Sequence, residues 1–177
     1  NNINVAVKNL ADISVSVLLY WAFGYALMFG ISASGWWGTT GFGLNLETSP
    51  QTAAFFIFQA MFCGTATTIV SGAVAERLKI SGYLMVSLLI SGLISPLFGH
   101  WVWGGSGGGT AGWLAQMGFV DFAGTTVVHS VGGWVSLAAL LILGPRRGRF
   151  DSEGRPVRFN SSNIPFSVLG VMLLWVG

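Results

Sequence analysis

Five apolar runs dominate this chain, and four of them are long enough to cross a lipid bilayer. The four cover residues 10–32, 53–75, 80–98 and 124–143, and the fifth begins at 164 and reaches 177. About 20 residues of α-helix span a hydrocarbon core of ~30 Å. The fold class these runs impose is an all-α polytopic membrane protein, a bundle of transmembrane helices. The fifth run holds about 14 residues, too few to span. With Asn1 rather than Met at the start and no signal peptide ahead of the first span, the chain reads as a fragment of a longer bundle, cut at both ends. Composition agrees: 53% of residues are hydrophobic, 8% are charged and 26 are Gly, and mean hydropathy is +0.69. A soluble domain carries roughly 25% charged residues.

The cations set the topology. The chain's 8 Lys and Arg fall in three places. Lys8 precedes the first span, Arg77 and Lys79 lie between the second and third, and Arg146, Arg147, Arg149, Arg155 and Arg158 follow the fourth. Alternating spans put these places on one side of the membrane, and cationic loops are cytoplasmic. The connection at 35–50 and the Gly-heavy segment at 104–112 carry no Lys or Arg and read as outer loops. A net charge of +2 with no basic patch interleaved with aromatics excludes a nucleic-acid surface.

Small residues recur every four positions. Ala60, Gly64, Thr68 and Gly72 mark the second span, and Ser87, Ser91 and Ser95 the third. Such stripes let membrane helices approach closely. Pro96 is tolerable in that setting.

His129 is the residue most at odds with its surroundings. It lies about eight residues past Asp121, roughly 12 Å down the helix and well inside the core. An ionisable group at that depth costs at least a few kcal/mol and normally faces a bundle interior or a polar path. One reading is a histidine satisfied by a neighbouring helix. The other is an uncharged imidazole lining a conduction path, since desolvation disfavours the charged form.

Other residues admit two readings each. Trp101 and Trp103, at the outer end of the third span, read as an interfacial belt, and Trp103 alternatively as a cation–π cup at a pore mouth. Phe62, among Phe55, Phe56 and Phe58, is lipid contact or core by its spacing. Asp121 reads as a helix cap, with a vestibule charge as a compatible second role. Asp12, near the inner end of the first span, reads as a buried structural hydrogen bond. Glu76–Arg77 and Asp151/Glu153 among the arginines read as interfacial ion pairs. His100 is placed at the interface with no role. The single Cys63 is a small buried hydrophobe. No Ser-His-Asp set, metal site or phosphate loop is visible: the Gly run lacks the following Lys-Ser/Thr. An enzyme is not expected, nor is a cofactor.

Four strings together carry a resemblance: Gly72-Ala-Val-Ala-Glu-Arg77, His100-Trp-Val-Trp103, Asp121-Phe-Ala-Gly-Thr-Thr-Val-Val-His129 and Gly144-Pro-Arg-Arg-Gly-Arg-Phe-Asp151. Over essentially its whole length the chain resembles the ammonium transporter (Amt/Mep/Rh) family. The resemblance implies about eleven spans in two inverted halves, a homotrimer with one pore per subunit, and a place in the plasma or inner membrane. It matches Trp103 to the tryptophan of the outer recruitment site, with Asp121 near the outer vestibule. Phe62 matches one of two stacked gate phenylalanines, and His129 the first of two paired pore histidines. Trp103 favours the Amt branch over the Rh branch. The chain would then run from the family's second span into its sixth, leaving out the second pore histidine, the second gate phenylalanine and the recruitment-site serine. A cytoplasmic regulatory protein is expected near residues 146–158.

Magnitudes shape the mechanism this implies. A bare cation moved into a medium of ε ≈ 4 costs on the order of tens of kcal/mol, and a desolvated cation–π contact returns only about 2 kcal/mol. Trp103 can concentrate ammonium but cannot carry it through. The expectation is recruitment near Trp103 and Asp121, deprotonation near Phe62, and passage of ammonia along the imidazoles, with separate proton transfer open. The rival is an ammonium sensor on the same fold, bearing a signalling domain after the bundle.

Overall fold

The computed structural model describes residues 2–47, 49–159 and 163–176. It is helical throughout, and among the described residues the only β pairing is an isolated bridge between Phe150 and Pro156. The chain forms two compact units, Asn1–Gly144 and Pro145–Gly177.

In the first unit four long helices are apolar enough to cross a membrane: α1 (Ile3–Phe29), α2 (Pro50–Ala73), α3 (Ile80–Gly107) and, after the four-residue α4 (Trp113–Gln116), α5 (Thr125–Leu143). The shortest, α5, has 19 residues, a rise of about 28 Å. Local signals explain the ends. Ser49 accepts the Thr52 N–H at 3.0 Å and Pro50 follows, a cap with a pre-set first turn. The tight α2–α3 connection passes through Glu76 in the left-handed region, at φ 68°. Gly144, at φ 72°, closes α5.

Two helix edges differ from the sequence expectation. α1 begins at Ile3, seven residues before the expected edge. Its charged residues do not end it because each finds a partner: Lys8 Nζ donates to the Leu78 carbonyl at 2.8 Å, and Asp12 accepts from Thr68 and Tyr83. α3 runs past Phe98 through Trp103 and a 3₁₀ turn to Gly107. The glycine run read as an open loop is therefore packed. A Cβ at Gly109 would overlap the Phe29 carbonyl, and one at Gly112 the His100 carbonyl.

α1 packs on α2 and α3, and α2 on α5. One apolar cluster joins Tyr20, Tyr25, Met28 and Phe29 of α1 to Phe56, Ala60 and Cys63 of α2. The other joins Ala66, Val70 and Val74 to Tyr83, Ile90 and Val128. Between them lies a seam of buried hydroxyls. Ser91 Oγ meets Ser16 Oγ at 2.6 Å and Thr67 Oγ1 at 3.1 Å, and Ser87 and Ser95 are buried on the same face. The serine stripe of α3 thus packs against its neighbours as expected. Only part of the α2 stripe does: Ala60 is buried against α1 and Thr68 reaches Asp12, whereas a Cβ at Gly64 or Gly72 would meet nothing within 4 Å. The close approach of α2 comes instead from α5, where a Cβ at Gly132 would lie 2.8 Å from the Ala66 carbonyl.

Three π-helical turns interrupt these helices, at Tyr20–Gly24, Ile90–Ile94 and Thr125–Ser130. Each adds a residue to a turn and re-aims the side chains beyond it. Those of α1 and α3 face each other, with Gly24 against the Ser91 carbonyl and Gly92 against the Phe23 ring.

Arg77 corrects a second expectation. Its guanidinium donates to the carbonyls of Gly144, at 2.6 Å, and Ala73, tying α2 to the end of α5 rather than pairing with Glu76. The second unit holds a hairpin-like turn, with Val157 N–H on the Arg149 carbonyl at 2.7 Å and an Arg155–Glu153 ion pair, followed by α6 (Ile164–Val176). Asn163 Oδ1 caps α6 through the Phe166 N–H.

Candidate functional site

Positions 101 and 103 stand about 200° apart on a helix, and the structure separates the two tryptophans accordingly. Trp101 joins a cluster on the outer surface, its ring 5.5 Å from Trp36, 5.8 Å from Trp113 and 5.5 Å from Phe98, its Nε1 donating to the Trp36 carbonyl at 2.9 Å. That group is the interfacial belt. Trp103 points the other way, half-buried, with its ring 5.7 Å from Phe62 at 59°.

The Trp103 indole is fixed from the other side by Nε1 donating to the Asp121 carbonyl at 2.6 Å. The Asp121 carboxylate turns inward to cap α5. Oδ1 accepts the N–H groups of Gly124 and Thr125 at 2.9 and 3.0 Å, and Oδ2 those of Thr126 and Val127 at 2.8 and 2.9 Å. An ionised carboxylate has about four lone-pair sites, so the helix start takes all of them. Gly124, at φ 86°, permits the turn: a Cβ there would sit 2.7 Å from Val128 Cγ2 and 3.3 Å from the Trp103 ring. The capping reading of Asp121 is what the geometry contains.

Phe62 sits mid-way along α2, with Phe58 edge-on at 4.8 Å and Trp103 on its other side. Both Phe62 and Trp103 pack against the cluster that includes Ala66 and Val128. Three of the residues singled out from the sequence, Phe62, Trp103 and Asp121, therefore form one contiguous group, with Phe62 mid-way along α2, Trp103 near the end of α3 and Asp121 at the start of α5.

His129 stands apart from the three. It lies in the π-helical first turn of α5, its N–H on the Gly124 carbonyl at 3.0 Å. Its neighbour Val128 is buried beneath the aromatic pair, while the His129 side chain is exposed on a face that no described residue covers. Its depth is also less than the spacing suggested. Residues 121–124 form the cap and not helix, so His129 is about 6 Å from the start of α5.

His100 requires correction. Placed at the interface from sequence, it is fully buried, with Nδ1 2.8 Å from the Met28 carbonyl. A carbonyl only accepts, so Nδ1 carries the hydrogen. Nε2 is buried and has no partner among the described residues. No local sequence signal marks this burial, since the partner carbonyl lies 72 residues away. Among the described residues no group of three His, Cys, Asp or Glu could hold a metal ion.

Comparison with known proteins places the whole chain in one family. The model of the Ammonium Transporter Family matches residues 1–177. A putative ammonium transporter of Synechocystis sp. is 57% identical over 182 residues, covering 100% of this chain and 34% of its own length. The ammonium transporter Amt2 of Archaeoglobus fulgidus is 43% identical over 188 residues, covering 100% and 39%. Among solved structures, a sensor Amt protein superposes with a TM-score of 0.88 at 40% identity, covering 99% of this chain and 44% of that one. Candida albicans Mep2 superposes with a TM-score of 0.75 at 26% identity, covering 94% and 37%. The chain spans 34% to 40% of the length of the first curated relatives it matches.

Proposed function

The chain belongs to the ammonium transporter family, and on that premise we propose that its parent protein moves ammonium nitrogen across the membrane without chemical conversion. The observation that carries this reading is the aromatic pair of Trp103 and Phe62, with the Trp103 indole held by the Asp121 turn. Indole is the best of the aromatic faces for a cation. Trp103 receives ammonium on its face, and the nearby charge of Asp121 favours cations there although its oxygens are committed to the helix. Phe62, directly beneath, blocks a hydrated ion.

The cost of a bare cation in hydrocarbon, on the order of tens of kcal/mol, exceeds the return from one ring by an order of magnitude. The ion therefore sheds its proton near Phe62, and ammonia continues past His129. The released proton crosses separately along the same histidine path, so that net transport carries charge. The uncovered face that bears His129 is where the rest of the protein completes the pore. The proposal includes a homotrimer in the plasma or inner membrane, with a regulatory protein meeting the cytoplasmic loop at 146–158.

A sensor is the second reading, raised by the superposition on a sensor Amt protein but not favoured over transport. The relatives that carry transporter names include one at 57% identity, and transport is the reading adopted. It is tested by uptake of isotopically labelled ammonium into proteoliposomes holding the full-length parent. Trp103→Leu removes a contact worth about 1–2 kcal/mol, so KM for ammonium is expected to rise by roughly five- to thirtyfold. Saturable uptake with an unchanged KM contradicts the recruiting role, and binding without uptake favours the sensor.

A further inference from the structure

One turn before Trp103 on α3, His100 is fully buried and takes no part in the transport reading. Its Nδ1 donates to the Met28 carbonyl at 2.8 Å, and its Nε2 has no partner among the described residues. Within those residues the ring is held by hydrogen bonding at Nδ1 alone.

The acceptor belongs to the end of α1. The carbonyls in the last turn of a helix have no partner within it, and α1 ends at Phe29. The Gly38 N–H takes the Leu27 carbonyl at 2.8 Å, and His100 takes that of Met28. Histidine is a suitable donor to the last carbonyls of a helix. Here the donor comes from a different helix, 72 residues along the chain. Met28 is 2% exposed, so without His100 its carbonyl would be left buried and unpaired, which costs more than the bond itself returns.

Met28 is also part of the wall behind the aromatic pair. Its sulfur accepts the Tyr20 hydroxyl at 3.1 Å, and its side chain fills the space over Gly99, where a Cβ would overlap it. It belongs to the apolar cluster with Phe56, Ala60 and Cys63, against which Trp103 packs. The contacts close a loop. Trp103 leans on the cluster that holds Met28, the Met28 carbonyl accepts from His100, and one helical turn leads from His100 back to Trp103. Gly104, which follows Trp103, lies against the same ring: a Cβ there would stand 3.0 Å from Nδ1. Phe62 and the Asp121 carbonyl fix the indole from α2 and from the start of α5. His100 adds the tie to α1.

We propose that His100 is a positioning residue for the recruiting face of Trp103. By capping α1 through the Met28 carbonyl it sets the last turn of α3, and with it the angle at which the indole stands against Phe62. His100 acts through Trp103 and does not meet ammonium. The proposal rests on the recruiting role given to Trp103 above.

The test is uptake of labelled ammonium by the full-length parent in proteoliposomes, with oligomer size checked for each variant. His100→Leu removes the donor. His100→Asn keeps it, because its Nδ2 is bonded to Cγ as Nδ1 is. A hydrogen bond is worth on the order of two- to tenfold in an equilibrium constant, so KM is expected to rise by about that factor in His100→Leu at an unchanged maximal rate. KM in His100→Asn is expected to match wild type. A rise in His100→Asn equal to that in His100→Leu overturns the role of Nδ1, and so does a lower maximal rate at constant KM.

Both variants are also made in a Trp103→Leu background, since residues that act through one another are not additive. Once the indole is gone, His100→Leu should leave KM where Trp103→Leu put it. A further rise of the same factor in the double variant overturns the proposal, because His100 would then act independently of Trp103. A wild-type KM in Trp103→Leu alone removes the recruiting role, and the positioning role with it. If His100→Leu does not assemble, His100→Gln, whose amide stands at the reach of Nε2, takes its place and the same outcomes decide.

Discussion

Asp121 illustrates how one side chain can serve a site without touching what the site binds. Its carboxylate satisfies four of the amides that α5 would otherwise leave open, and its carbonyl holds the Trp103 indole. Loss of a cap costs about 1–2 kcal/mol. Asp121→Ala is therefore expected to lower Tm of the full-length protein by several degrees. Asp121→Asn, with one acceptor oxygen left, should fall between it and wild type. Thermal unfolding in detergent checks this, and an unchanged Tm in the alanine variant contradicts the capping role. That role was legible in the sequence, because an aspartate just before a span is a cap signal that needs no distant partner. The burial of His100 was not. Its partner, the Met28 carbonyl, lies 72 residues away, and nothing in the local string His100-Trp-Val-Trp103 points to it.

At the scale of elements, the helix count followed from hydropathy because a bilayer demands length and apolarity before anything else. Helix phase did not follow so easily. The split of Trp101 from Trp103 required only the period of 3.6 residues, yet which face of α3 meets α2 depends on the π-helical turn at Ile90–Ile94, which no pattern announces. The small-residue rule likewise named Gly64 and Gly72 on α2, where a Cβ would meet nothing within 4 Å, while Gly132 of α5 makes a close contact. A pair of adjacent substitutions tests this. In Gly132→Ala the new methyl meets the Ala66 carbonyl and the Ile69 side chain, and overpacking of this kind costs about 1–3 kcal/mol. Gly133 has nothing within 4 Å, so Gly133→Ala should be neutral or gain up to about 1 kcal/mol in helix propensity. Equal Tm values for the two variants contradict the α2–α5 crossing.

For the whole molecule, the orientation rests on the cations alone and can be checked directly. Cys63 is buried and the chain has no other cysteine, so residues 1–177 give a silent background for labelling in intact cells once any cysteine elsewhere in the parent is replaced by serine. Ser106→Cys should react with a membrane-impermeant maleimide from outside, and Ser152→Cys only after the membrane is opened. The reverse pattern inverts the topology. The aromatic pair, its Asp121 clamp and the histidine beyond it lie in this chain, which spans 34% to 40% of the first curated relatives; the proposal puts the facing half of the pore in the remainder. How much of this site was legible differs by residue. Phe62 carried no local mark of its proposed role, and the resemblance alone singled it out. His129 was marked by an ionisable side chain inside an apolar span, and the resemblance then gave it a place in the family's pore. The contact of Phe62 with Trp103 is a finding of the fold.

The central claim is that ammonium nitrogen passes His129 on its way through the membrane. It is tested most directly by recording current from the full-length parent in liposomes on a supported membrane during ammonium pulses, beside His129→Ala. Thermal unfolding and oligomer size of both proteins are measured in parallel. The account predicts a saturable, concentration-dependent current in wild type that is lost in His129→Ala while assembly is unchanged. Full wild-type current in a correctly assembled His129→Ala protein would contradict it.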